Sequence, residues 1–210
     1  MENKGINTIL FDIDGVLLDH EDCNGHNWCR EFKNDFNIPV EVIEQLHKNA
    51  AKWKELSLGK IQLENYLKDF LSEHNINTVN ALQLVSYISN HDICTRKYMF
   101  EEVAKIKERC GNKYKLCIAT HQEPNKADRL WYVEGYKNYF DGMYTSYGVG
   151  HLKTEIEFYN VISNDLGIKN NQMMLIDDKQ KNVDTAKSAG CDGYLYTTFE
   201  DIKHNLFDTL

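Results

Sequence analysis

No run of about 18 apolar residues occurs in this 210-residue chain, so no membrane-spanning helix is expected. Behind the charges of the N-terminal MENKGIN there is no apolar region of the kind an export signal needs, so a cytoplasmic location is expected. Basic charge is in deficit. There are 24 Lys and Arg against 32 Asp and Glu, a net charge of −8, which argues against nucleic acid and anionic membrane surfaces as partners. A small phosphorylated metabolite is not excluded, because a local lysine, helix N-termini and a metal ion can outweigh the overall field. A disulfide framework is missing too. Cys23, Cys29, Cys94, Cys110, Cys117 and Cys191 are scattered, as reduced cytosolic thiols are, and Cys117 lies inside an apolar run. Internal repeats and low-complexity linkers are absent.

What is present fits a soluble globular protein: 42% hydrophobic and 27% charged residues, in a length that suits one domain or a core with a smaller insert. The chain is organised around residues 6–18, INTILFDIDGVLL. Its apolar start reads as a buried parallel strand that breaks at Asp12-x-Asp14-Gly15. Ligands of open α/β sheets sit outside the carboxyl ends of the strands, which is where Asp12 and Asp14 fall. Two carboxylates so close repel, and a cation, a shared proton or both must offset this. Alone, Asp-x-Asp-Gly also describes a solvated turn.

Residues 19–95 differ in character. Segments 26–36, 40–56, 61–74 and 78–89 carry apolar residues at helical spacing, with no convincing buried strand, and predict an all-helical insert. Trp53 and Tyr66 are expected in its core. From about residue 97 strands and helices alternate. A helix over 98–110 precedes a strand at Tyr114–Ala119, and a helix starts at about Pro124. A short strand lies within Phe140–Tyr147, and Thr154–Leu166 is a helix with Thr154 and Glu157 in capping-box order. Met173–Ile176 is a strand, Asn182–Ala189 a helix and Tyr194–Tyr196 a last strand, followed by a helix from about Phe199. Such alternation implies a parallel sheet with right-handed crossovers. The expected architecture is a Rossmann-like α/β core (1–18 and 96–210) flanked by helices, with an inserted helical cap (19–95) over the carboxyl edge of the sheet.

Three strands thus end in polar groups, Asp12/Asp14, Thr120 and Asp177/Asp178, and a loop between them carries Lys153. Clustered carboxylates form a hard oxygen site of the kind that holds Mg²⁺. One carboxylate can act as nucleophile and a second as acid and base. A lysine and a hydroxyl would hold phosphoryl oxygens. Positioning and electrostatics are most of what phosphoryl transfer needs. His20, Cys23, His26 and Cys29 are zinc-ligand types spaced by three, but a helix turns about 300° in three residues, so one face cannot present all four. Some of His20, Asn24, His26 and Trp28 are expected to overlook a substrate instead. The Lys/Glu run 101–109 reads as a solvated helix face with a Glu101–Lys105 pair.

These motifs resemble the haloacid dehalogenase (HAD) superfamily of phosphohydrolases. FDIDGVLLD (11–19), AT (119–120), GHLK (150–153) and LIDDKQKNVDTAKSAG (175–190) are similar to its four motifs, in order. The resemblance implies a HAD-like fold with a cap of the type inserted after motif one. Asp12 would be the nucleophile and a Mg²⁺ ligand, and Asp14 the acid/base, with its carbonyl on the metal. Thr120 and Lys153 would bind phosphate, and His121 would lie at the substrate. Asp178 would bind metal directly, Asp177 directly or through water, and Asn182 would help order that loop. Dehalogenases of the family lack an acid at the position of Asp14, so the resemblance favours phosphate chemistry. Within the superfamily the chain looks like the sugar-phosphate phosphatases, such as alpha-D-glucose-1-phosphate phosphatase, with Thr154 and His121 in place of a common proline and asparagine. The expected activity is Mg²⁺-dependent hydrolysis of a small phosphomonoester. The alternatives are a phosphomutase of the beta-phosphoglucomutase type and a non-catalytic module binding a phosphorylated ligand.

Overall fold

A computed structural model describes residues 5–19, 28–91 and 94–210. Five parallel strands form one sheet: β1 (Thr8–Phe11), β2 (Lys115–Thr120), β3 (Gly142–Thr145), β4 (Met173–Asp177) and β5 (Asp192–Leu195), in the order β3-β2-β1-β4-β5. Parallel neighbours require crossovers, and helices supply them. They are α7 (Lys97–Cys110), α8 (Pro124–Asp128, running on as a π turn over Arg129–Val133), α9 (Ser146–Val149), α10 (Ile156–Leu166) and α11 (Gln180–Ser188), while α12 (Phe199–Asn205) follows the last strand. Side chains alternate across each strand, so the sheet buries both faces. Ile9, Phe11, Leu116, Ile118, Met174 and Ile176 meet Met99, Val103 and Ile106 of α7 and Ile202 of α12. Leu10, Cys117, Ala119, Met173 and Leu175 meet Phe158, Tyr159 and Ile162 of α10 and Ala186 of α11.

Between β1 and α7 lie only helices among the described residues: α1 (Trp28–Phe36), α2 (Val40–Ile43), α3 (Gln45–Lys48), α4 (Ala50–Ser57), α5 (Leu63–Glu73) and α6 (Ala81–His91). They close on a hydrophobic cluster of their own, including Phe32, Ile43, Leu46, Leu56, Leu67, Phe70 and Leu84. The 40–56 segment is three short helices rather than one. Asn49 breaks it and caps α4, its side chain accepting the Lys52 N–H at 3.1 Å. The Leu46 carbonyl that this break frees accepts from both Trp53 Nε1 (2.6 Å) and the Tyr66 hydroxyl (2.7 Å).

Two local expectations fail. Helix α10 begins at Ile156 with Glu155 at its N-cap, so Thr154 forms no capping box. Glu155 turns back instead, its carboxylate accepting the Leu152 N–H at 3.2 Å. On α7, Lys105 pairs with Glu102 at 3.2 Å rather than with Glu101, and Glu102 is buried, with Lys203 of α12 at 3.8 Å. No helix among the described residues is long and apolar enough to cross a membrane. The readings placed on His20, Cys23, Asn24, His26, Trp28 and Cys29 fall outside the described residues and side chains.

Candidate active site

Strand β1 is central, and the register sets its last residue, Phe11, level with Ile118 of β2 and Ile176 of β4. The next residues along, Asp12 and Asp177, therefore emerge side by side at the carboxyl edge, and the Asp12 N–H donates to the Ile176 carbonyl at 2.9 Å. The chain then turns tightly. The N–H groups of Val16, Leu17 and Leu18 all converge on the Ile13 carbonyl, and Gly15 takes φ +84°, a left-handed conformation that costs glycine little.

Lys153 reaches into this edge from the loop before α10. Its ammonium is 1% exposed and lies 2.6 Å from Asp12 Oδ1 and 2.7 Å from Asp177 Oδ2. Asp177 also accepts from the Lys179 N–H (2.9 Å) and from Asn182 Nδ2, at 3.0 Å to each oxygen. Tyr159 closes the space beneath, its hydroxyl donating toward the carbonyls of Lys153 (3.0 Å) and Asn182 (3.2 Å). Asp178 stands at the rim beside Lys179 Nζ (2.7 Å). Asp12, Asp177 and Asp178 each offer an oxygen within 4.8 Å of the others. At the end of β2, Thr120 Oγ1 is buried and has no hydrogen-bond partner among the described residues.

Burial pushes the Asp12 carboxyl up to about 8, with Asp177 adding to the rise and Lys153 opposing it. Burial pulls the Lys153 amine the other way, but Asp12 and Asp177 outweigh it and the net shift is upward. Two buried carboxylates against one ammonium leave this dry space short of positive charge, a deficit that a cation at the rim would relieve. Burial, with Lys153 adding, drives His121 down to about 3. The neutral ring uses Nε2 to accept the Lys153 N–H at 2.6 Å, which assigns its proton to Nδ1.

The structure thus brings Asp12, Lys153, Asp177, Asp178 and Asn182 into one contact network, with Thr120 at the same edge and His121 holding the Lys153 loop. Asp14 points elsewhere. Its carboxylate accepts from Gln122 Nε2 and from Lys126 Nζ (3.1 Å), and its side chain stands outside the three-carboxylate group. Gln122 and Lys126 were not singled out in the sequence, nor was Arg96, which bonds the turn after Asp14. Their partners are remote in sequence, and a polar residue just past a strand end was the one available signal.

The family model of haloacid dehalogenase-like hydrolases matches residues 6–190. Solved structures with the same fold include a HAD family enzyme from Bacteroides thetaiotaomicron in complex with magnesium and inorganic phosphate (TM-score 0.76, 21% identity, covering 96% of this chain and 99% of that one). A predicted HAD-like family hydrolase from Porphyromonas gingivalis is similar at TM-score 0.74 and 20% identity, over 97% of both chains. L-2-haloacid dehalogenase from Xanthobacter autotrophicus, with chloropropionic acid covalently bound, is similar at TM-score 0.67 and 14% identity, over 97% of this chain and 83% of that one. Among curated proteins no sequence matches. At these identities the structural likeness speaks for the fold, while the family model spans β1 to β4 and every carboxylate of the site: the chain belongs to the haloacid dehalogenase-like hydrolases.

Proposed function

We propose that this hydrolase is a Mg²⁺-dependent phosphatase that cleaves a small phosphomonoester, a sugar phosphate or similar metabolite, through an aspartyl-phosphate on Asp12. The observation that carries the reading is the buried Lys153 bridging Asp12 and Asp177, with Asp178 completing an all-oxygen group within 4.8 Å. That donor set fits Mg²⁺, a hard cation that takes carboxylate oxygen and keeps room for water and phosphate. Asp12, Asp177 and Asp178 would hold it, with the Asp14 carbonyl as the family resemblance implies. The cation supplies positive charge to the phosphoryl oxygens when bound. The magnesium and phosphate of the Bacteroides enzyme support the same reading.

Asp12 attacks phosphorus as a carboxylate, which Lys153 favours by its 2.6 Å contact. A bond forms from an Asp12 oxygen to phosphorus as the bond to the substrate oxygen breaks. Asp14 gives that oxygen a proton, exchanging its bonds to Gln122 and Lys126 for the substrate. Asp14 then takes a proton from water as the water attacks phosphorus, releasing phosphate and restoring Asp12. The unpartnered Thr120 hydroxyl donates to a phosphoryl oxygen. An acid at position 14 separates this chemistry from dehalogenation, where the departing halide needs no proton.

The test is phosphate release from a panel of small phosphomonoesters, with and without Mg²⁺, for wild type and Asp12→Asn. Release that needs Mg²⁺ and is lost in the variant is expected. Release retained by Asp12→Asn would sink the mechanism, and no release from any member would sink the activity.

A further inference from the structure

Arg96 stands outside every motif, yet it gathers the segment that follows Asp14. Its Nη1 donates to the carbonyls of Gly15 (2.6 Å) and Val16 (3.3 Å), and its Nε lies 2.7 Å from Asp19 Oδ1. Its own N–H donates to the Leu17 carbonyl at 2.9 Å. On the other side the guanidinium lies 5.4 Å from the centre of the Tyr196 ring. Tyr196 is itself tied to the site, because its N–H donates to the Asp177 carbonyl at 2.9 Å. The Arg96 side chain is only 14% exposed. Burial would pull its pKa down, but the bond to Asp19, with Tyr196 and Tyr98 adding, leaves it above the usual value. The same place joins the segment leaving the sheet to the one returning to it: the Asp19 N–H donates to the Cys94 carbonyl at 3.0 Å, and Leu18 bridges Thr95.

We propose that Arg96 is a positioning residue for the reaction. Its guanidinium fork fixes the Gly15–Asp19 turn, and so the aim of Asp14, against the strand end that carries Asp177. A lysine cannot reproduce this, because one ammonium does not reach two carbonyls and a carboxylate in a planar fork. Neither Asp12 nor Lys153 touches Arg96 among the bonds described, so loss of the fork misaims Asp14 while the nucleophile's own contacts stay in place.

The test compares wild type, Arg96→Lys and Arg96→Met by amide hydrogen exchange and by phosphate-release kinetics, with Arg96→Ala added to the kinetics for chemical rescue. The exchange arm stands by itself; the kinetic arm rests on the phosphatase reading. In Arg96→Met, exchange of the Gly15, Leu17 and Leu18 amides rises more than about tenfold, with Arg96→Lys in between, while β2 amides keep their protection. The kcat falls roughly ten- to a hundredfold while KM stays within about twofold, as for a misplaced catalytic group. Added methylguanidinium restores part of the activity of Arg96→Ala. Unchanged exchange in the turn, a general loss of protection that includes β2, or a KM effect without a kcat effect each overturns the proposal. A wild type that releases no phosphate overturns the phosphatase reading and leaves the exchange comparison to decide on Arg96.

Discussion

Lys153 Nζ sits 2.6 Å from Asp12 Oδ1 with both side chains out of solvent, so the two charges depend on each other and not on water. Replacing the lysine by methionine keeps the unbranched stem out to Cε, removes the ammonium and strands Asp12 and Asp177 together. Unpairing a buried ion pair costs about 3–5 kcal/mol. Urea unfolding in EDTA at pH 7 should show Lys153→Met less stable by about that amount. The gap should widen above pH 8, where the Asp12 carboxyl of the wild type, held up to about 8, ionises against Lys153 and the stranded one does not. An equal stability at pH 7 would mean the pair is not buried as described.

Mg²⁺ should stabilise the folded chain before any substrate is added. With free cation at a hundred times its Kd the gain is about 2.7 kcal/mol, which for a chain of this size raises Tm by about 5–10 °C. Asp178→Asn removes one carboxylate from the group within 4.8 Å and should lose most of that rise. Scanning calorimetry with and without Mg²⁺ decides it, and a full rise in the variant would take Asp178 out of the ligand set.

His121 gives a pH signature in the metal-free protein. Its folded value is lowered to about 3, whereas an unfolded histidine titrates near 6.5. Between those values the unfolded chain binds a proton that the folded chain refuses. Its contribution to stability therefore falls as pH drops below about 6.5, by up to about 1.4 kcal/mol per unit, until folded His121 also protonates near 3. His121→Asn should flatten the stability profile between pH 6.5 and 5, and the His121 ring signals of the wild type should not move across that window.

Asn182 fixes Asp177 through two bonds at 3.0 Å in a buried setting. Asn182→Leu leaves a carboxylate short of partners and should cost about 1–3 kcal/mol in unfolding experiments. Asn182→Asp, which sets a second negative charge there, should cost more. A costless leucine would show that Lys153 and the Lys179 N–H suffice to hold Asp177.

The strands and their polar ends were legible because they depend on local pattern. Four or five apolar residues followed by Asp or Thr can be read without knowing the neighbours, and Ile9–Asp12, Leu116–Thr120 and Met173–Asp178 all folded that way. Lys153 was legible through its motif, although nothing local says that its ammonium is buried. The misread places are those where a remote partner outweighs the local rule. Glu155 forgoes a conventional start to α10 because its carboxylate secures Leu152 and, through it, the loop that delivers Lys153. Glu102 leaves the solvated face because α12 brings Lys203 to it. Gln122, Lys126 and Arg96 look like ordinary polar residues until the fold sets them against the turn after Asp12.

The position of β1 between β2 and β4 bears on how the protein is made. The strand that carries Asp12 is synthesised first, yet Thr8 waits for Lys115 on one side and Met173 on the other. Until β4 leaves the ribosome, one edge of β1 is an open row of amide and carbonyl groups, and Asp12 stands without its neighbouring carboxylates. The three-carboxylate group is therefore assembled in one late step, when the fourth strand docks and brings Asp177 and Asp178 to Asp12. A nascent chain stopped short of Met173 would be an inert and adhesive intermediate.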